Sequence, residues 1–288
     1  MRITFIGTSA GEGYPGFWCA CPNCAEARER GGRNLRGNTC TLIGDDMLVD
    51  MNDHFFATAP RLGLDPGRIR CLLVTHPHVD HFAPWKLIQR EAPYAQQPYE
   101  TQQKEISPCF SPLPTLRIYG NRFVKQALES VPDLMDNRAR YRIAFHQAEP
   151  GKPFDTENAH VTPIESRHGP QKGFAYNYII RREGKTLLYA SDTGGYDESM
   201  LGILRSFRYD CVIMEGTFGT GKTSDTHMSL EKNRGFLRYM EENGLWNGAA
   251  NFHLTHICPH WSPPHDRWAP LLAEEGLLVA YDGKEITV

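Results

Sequence analysis

Apolar residues in this chain fall mostly in short runs bounded by Gly, Pro, Asn or Asp, the signature of buried β-strands. Such runs predict strands at 2–6, 71–74, 116–120, 142–145, 160–168, 210–216, 249–256 and 277–282. Residues 39–43 and 47–49 form a hairpin about Gly44-Asp45-Asp46. Residues 174–180 and 186–190 form another about Glu183-Gly184-Lys185. Helical spacing appears between these runs, at 25–30, 54–62, 84–91, 123–131 and 228–242. Gly31-Gly32 ends the first helix and Gly63 the second. Residues 92–114 are polar, Gln- and Pro-rich and without a period. They predict a long loop or lid near a site mouth, in which Cys109 is an isolated thiol.

One strand ends in an unusual concentration of polar groups. After the apolar run 71–74 come Thr75-His76-Pro77-His78-Val79-Asp80-His81. Pro77 prevents a regular helix through the middle and biases His76 toward extended geometry. The loop therefore splays its side chains to two sides, His76 and His78 at period two, with Asp80 and His81 one step further on. A His pair for one ion and an Asp-His pair for a neighbouring one suits two metals, since Zn, Mn and Fe accept neutral imidazole and carboxylate. Buried without such a partner, four polar groups so closely spaced would be costly. Three further polar residues, His168, Asp192 and His256, stand at the ends of predicted strands. Each alone is equally compatible with an ordinary turn residue. His146 reads as a surface residue. His160 lies at the wrong end of its strand, and His253 points to the face opposite His256.

The eight cysteines are unevenly spread, and Cys19-Ala20-Cys21-Pro22-Asn23-Cys24 holds three of them. The opening residues are too few and too alternating for a signal peptide, so bunched cysteines point to thiolate metal ligands rather than disulfides. Three thiolates so close fit one structural Zn, which needs a fourth ligand from elsewhere. Cys258, His260 and His265 are candidates, His260 first and Cys258 next. Reduced surface thiols or a redox pair are the alternative.

The remaining bulk properties mainly exclude. The chain has 288 residues, 40% hydrophobic and 23% charged, with net charge −3. That length allows one sizeable core, and the expectation is a single domain over 1–288. The slightly acidic balance argues against a nucleic-acid partner. No apolar run approaches membrane-spanning length, so the expectation is a cytoplasmic protein without a membrane partner. The oligomeric state is left open, a homodimer included.

Two phosphate-binding patterns match only formally. Gly11-x-Gly13-x-x-Gly16 follows a strand but leads into the cysteines instead of a helix, so no helix N-terminus meets a pyrophosphate. Gly216-x4-Gly221-Lys222-Thr223 follows a strand, but too little chain remains for the usual parallel sheet. The polar residues 224–226 also separate it from the next helix.

His76-x-His78-x-Asp80-His81 resembles the signature of the metallo-β-lactamase superfamily. Together with the glycine-rich first loop and C-x-C-x2-C, it resembles in particular the PhnP-type phosphodiesterases. Those accompany the carbon–phosphorus lyase pathway and hydrolyse cyclic ribose phosphates. The match runs from Gly7 to His260. It implies an α/β fold, the αββα four-layer sandwich, with two divalent metal ions (Zn or Mn) in the active site. His168 then joins His76 and His78, Asp192 bridges the two ions, and His256 joins Asp80 and His81. Asp50 braces the His loop. The implied reaction is hydrolysis of a small, cyclic phosphodiester by a metal-bound hydroxide, with Asp80 orienting the hydroxide and His227 contacting the phosphate. The opening Gly7-Thr8-Ser9-Ala10-Gly11-x-Gly13-x-Pro15 also resembles the pyrroloquinoline-quinone biosynthesis protein B family. That family implies a non-catalytic carrier and lacks the full ligand set. Lactone or thioester hydrolysis on the same site is a further alternative. The 92–114 insertion and the spacing of Cys258-Pro259-His260 depart from the phosphodiesterase pattern.

Overall fold

The computed structural model describes residues 1–90, 113–221 and 223–288. Strands β1 (Arg2–Gly7), β2 (Cys40–Ile43), β3 (Met47–Val49), β4 (Cys71–Leu73), β5 (Leu116–Gly120), β6 (Ile143–Gln147) and β14 (Glu285–Thr287) form one sheet, in the order β14-β1-β2-β3-β4-β5-β6. The second contains β7 (Phe154–Asp155), β8 (His160–Ser166), β9 (Ala175–Arg182), β10 (Lys185–Ala190), β11 (Cys211–Glu215), β12 (Phe252–Thr255) and β13 (Leu277–Val279), in order β13 through β7. Both sheets are mixed. β3 to β6 run parallel while β1, β2 and β3 alternate. β10 to β13 run parallel while β7 to β10 alternate.

The period of two along each strand explains the layering. In β11, Cys211 and Ile213 face the other sheet, while Val212 and Met214 face outward onto helices. In β4, Cys71 and Leu73 point inward and Leu72 outward. The inner core combines Ile3, Phe5 and Val49 with Tyr178, Tyr189 and Ile213. Helices Asp53–Arg61 and Arg122–Glu129 cover the first sheet through Phe55, Val124 and Leu128. Helices Glu198–Leu204, Leu230–Glu242 and His265–Ala273 cover the second through Met200, Leu237, Met240 and Trp268. Three apolar layers between four structural ones make this the αββα sandwich. Strands buried on both faces are also why their sequences read as continuous apolar runs.

Several expectations shift. The segment foreseen as an α-helix at 84–91 is a 3-10 run, Pro84–Arg90, in which only Leu87 is buried. One buried side chain gives no apolar stripe to hold a longer helix against the sheet. The strand ending at His168 stops at Ser166, and the one foreseen to 282 stops at Val279. The two short strands β7 and β14, and the helix His265–Ala273, have no clear sequence signal. The lid expected at 92–114, with Cys109, falls almost wholly outside the described residues, as does Lys222 of the formal phosphate loop.

Candidate metal centre

The carboxyl ends of β3, β4, β8, β10, β11 and β12 bring Asp50, the loop from Thr75 to His81, His168, Asp192, Glu215 and His256 to one edge of the sandwich. Asp50 follows β3, and its carboxylate accepts from Thr75 N at 2.8 Å and from the Thr75 hydroxyl at 2.9 Å. This ties down the loop that follows β4. Asp50, Asp192 and His256 all have left-handed backbones, with φ of 62°, 48° and 55°. Such a conformation is unfavourable for a residue with a side chain, and clusters of it mark sites where the surroundings impose it.

Two donor sets meet around Asp192. In the first, His76 Nε2 lies 2.9 Å from His78 Nδ1, and His168 Nε2 lies 3.2 Å from the same atom. Asp192 Oδ2 stands 3.5 Å from His76 Nε2 and 3.4 Å from His168 Nε2. In the second, His81 Nε2 and His256 Nε2 are 3.2 Å apart. Asp80 Oδ2 lies 3.3 Å from His81 Nε2 and 3.5 Å from His256 Nε2. Asp192 Oδ1 completes this set at 3.0 Å from His256 Nε2.

The outer ring atoms decide what the inner ones are. His81 Nδ1 donates to Asp50 Oδ2 at 2.8 Å. The Thr75 hydroxyl gives its proton to Asp50, so at 3.0 Å it accepts from His76 Nδ1. His168 Nδ1 donates to the Thr226 carbonyl at 3.2 Å. Thr217 donates to the His256 carbonyl and therefore accepts from His256 Nδ1 at 2.8 Å. In neutral His76, His81, His168 and His256 the proton is on Nδ1, so their Nε2 lone pairs, and in the first set Nδ1 of His78, point at one another across about 3 Å. That arrangement is repulsive unless a cation lies between them. Bonds of about 2.0–2.1 Å in a tetrahedral shell place ligands about 3.4 Å apart, close to the spacings here. The donor set therefore fits divalent metal ions, with the hydrogen-bonded outer ring that such ligands need.

Electrostatics agree. Burial pushes His76, His78 and His168 down toward the neutral form a metal accepts. Burial opposes ionisation of Asp192 and Asp80, but His256 and His81 hold both carboxylates well below their usual range. Burial likewise opposes a charged His256, yet Asp192 lifts it to about 10. The carboxylates thus demand positive charge, which a metal ion supplies in place of protons.

His227 sits beside this pair. Its ring stacks on His256 with centroids 5.9 Å apart, and Nδ1 donates to Glu215 Oε1 at 2.8 Å. Glu215 carries no sequence motif; its only signal was an acid ending an apolar strand, as at Asp50. Burial opposes protonation of His227, but Glu215 wins and raises it. The loop carrying His227 passes close to Gly194, where a Cβ would fall 1.8 Å from the Asp225 carbonyl. Only glycine fits there. On the other side Gly11 lies over Asp80, its Cβ position 3.2 Å from Oδ2.

Cys19, Cys21 and Cys24 converge as a separate group. Gly16 N donates to Cys24 Sγ at 3.2 Å and Cys21 N to Cys19 Sγ at 3.4 Å. The Cys21 N–H and thiol, with weaker help from His260, bring Cys19 down to about 7, whereas burial pushes Cys24 up to about 12. Asn23 Nδ2 clamps the Pro259 carbonyl at 2.8 Å, bringing the 258–260 turn alongside. His260 and Cys258 are 3.6 Å apart there, grouped with Glu12. His265 is elsewhere, accepting from Arg36 at 3.1 Å. His146 is exposed, His160 pairs with Asp155, and His253 is buried against Phe5.

Comparison with known proteins agrees with the geometry. The coenzyme PQQ synthesis proteins B of Acinetobacter baumannii (strain ACICU) and Klebsiella pneumoniae (strain 342) are each 23% identical to this chain. The first alignment covers 99% of both chains, the second 100% of this chain and 98% of the relative. A diphosphatase of the PhnP family superposes with a TM-score of 0.71 at 17% identity, over 99% of this chain and 97% of its own. The Zn2+-bound PqqB of Methylobacterium extorquens gives the same TM-score and identity over the full length of both. These likenesses show the fold, which typically binds divalent metals and belongs to proteins that are generally hydrolases. The family model described as the beta-lactamase superfamily domain matches residues 46–257, from the β2–β3 turn to just past His256, and the chain belongs to that superfamily.

Proposed function

We propose that this protein is a dinuclear metal-dependent phosphodiesterase acting on a small, cyclic phosphodiester. The observation that carries the reading is the complete pair of donor sets sharing Asp192, with His227 held over them by Glu215. His76, His78, His168 and Asp192 would hold one ion, and Asp80, His81 and His256, with Asp192 reaching His81 and His256, the other. Bound there, Zn or Mn would supply a Lewis acid for the phosphoryl oxygens and acidify water toward neutrality. The chain's own residues do the rest. Asp80, open on the cleft side, orients the attacking water. His227, whose protonated form Glu215 favours, would donate from Nε2 to a phosphoryl or leaving oxygen, a bond strongest in the transition state. Cys19, Cys21 and Cys24, with His260 or Cys258, would hold a structural Zn that ties the glycine-rich loop to the 258–260 turn.

A second reading is a role in coenzyme PQQ synthesis, favoured by the full-length similarity to proteins of that name. Turnover of bis-p-nitrophenyl phosphate by Zn- or Mn-loaded protein, against a lactone and a thioester, tests the first. Restoration of PQQ formation in cells lacking synthesis protein B, without phosphodiester turnover, would replace it with the second.

A further inference from the structure

The three most exposed large apolar side chains among the described residues are Trp18 (94%), Val79 (83%) and Phe17 (79%). They are not scattered. Phe17 and Val79 line one cleft of about 740 Å3, which begins at Asp80 and is also bordered by Leu35, His54 and Arg61. Trp18 meets Phe17 edge to face, with centroids 4.7 Å apart. The volume lies within the range of small-molecule sites, about 300–1,000 Å3. The cleft reaches the metal centre, because Asp80 of the second donor set is among its lining residues. Part of its lining is polar in a defined sense. His54 Nδ1 accepts from Asn38 N at 2.8 Å, so the proton of the neutral ring is on Nε2, which has no hydrogen-bond partner among the described residues. Arg61, at the other end of the same helix, adds further donors to the lining.

We infer that this cleft binds a planar heteroaromatic group of the substrate, with Phe17 and Trp18 as the stacking platform, Val79 as the opposite wall, and His54 as donor to a ring acceptor. The inference rests on the phosphodiesterase reading for its reaction but not for its binding. Stacking tolerates any ring with a π-face, and its typical strength corresponds to a tenfold or larger gain in affinity. Leaving the aromatic pair and Val79 exposed has no evident structural return, since none of them contributes to the core.

The test compares adenosine 5′-monophosphate with ribose 5-phosphate, two phosphates differing by the aromatic base. Binding to metal-loaded protein is measured by calorimetry, and by tryptophan fluorescence with a Trp18→Phe control. The expected result is adenosine monophosphate binding at least about tenfold tighter, with quenching that disappears in Trp18→Phe. The preference should fall to near unity in the double variant Phe17→Ala, Trp18→Ala. These two residues lie outside the core, and circular dichroism with metal counts confirms that the variant is folded. Equal affinity for the two phosphates overturns the inference, as does a preference that survives in the double variant. A variant that alters only oligomeric state would make the patch a subunit contact and also overturn it. Absence of phosphodiester turnover with the preference intact would remove the reaction while leaving the subsite standing.

Discussion

The buried Glu215 and the partly buried His227 form a carboxylate–imidazole pair, Oε1 to Nδ1 at 2.8 Å, at the end of β11. Glu215 is fully buried and also accepts from Thr193 N at 3.0 Å and Thr217 N at 2.9 Å. Its orientation is therefore set by backbone, and it sets that of the imidazole. His227→Ala should lower phosphodiester turnover by about 10²–10³ with both active-site metals retained. Glu215→Gln should lower it less, by loosening the ring. Steady-state kinetics and metal counts on the same samples decide; a lost metal would make His227 a ligand, and unchanged turnover would remove it from the site.

Asp192 touches both donor sets, so Asp192→Asn should abolish turnover and empty the active-site pair. Asparagine tolerates the left-handed backbone at φ 48°, so the fold should survive. Elemental analysis should give about three ions per chain in the wild type and about one in the variant. Two or more ions in the variant would sink the bridging assignment.

Cys21→Ser should lower the melting temperature while turnover per folded molecule stays near wild type. A structural metal contributes folding free energy, and a hydroxyl is a poor substitute for a thiolate. Normal melting with dead chemistry would show instead that the cysteines serve the reaction.

Stability should fall in acid partly through His253. Burial, with Lys284 nearby, pushes this imidazole down to about 3, and its Nε2 donates to Asn251 at 2.9 Å. The folded state keeps the ring neutral while the unfolded chain protonates it near 6.5. The contribution is therefore complete above about pH 6.5 and is lost as pH falls toward 3. His253→Gln should flatten the pH dependence of unfolding between pH 7 and 5, by at most about 2 kcal/mol. Parallel denaturant curves for both proteins across that range would refute it.

How far could the chain be understood before its structure? The short apolar runs located most strands, because a strand buried on both faces needs apolar side chains at every position. The stretch from His76 to His81 announced metal chemistry, because so many imidazoles and carboxylates in six positions are local information. Asp50, Asp192 and His256 showed only as polar residues at strand ends, and the resemblance, rather than spacing, gave them roles. Glu215 showed the same strand-end signal with no resemblance to give it a role, and Thr75, Thr217 and the Thr226 carbonyl showed none. They act by holding the outer nitrogen of a ring, and that depends on distances between residues far apart in sequence. The short edge strands and the helix His265–Ala273 were hidden for the same reason: they are stabilised by the neighbours they meet rather than by their own pattern. Sequence alone determined which residue types stand at the strand ends. Tertiary structure decided which of them meet, because two sheets must first stack through the Phe5, Tyr178 and Ile213 layer before lone pairs from β4, β8, β10 and β12 can face one another.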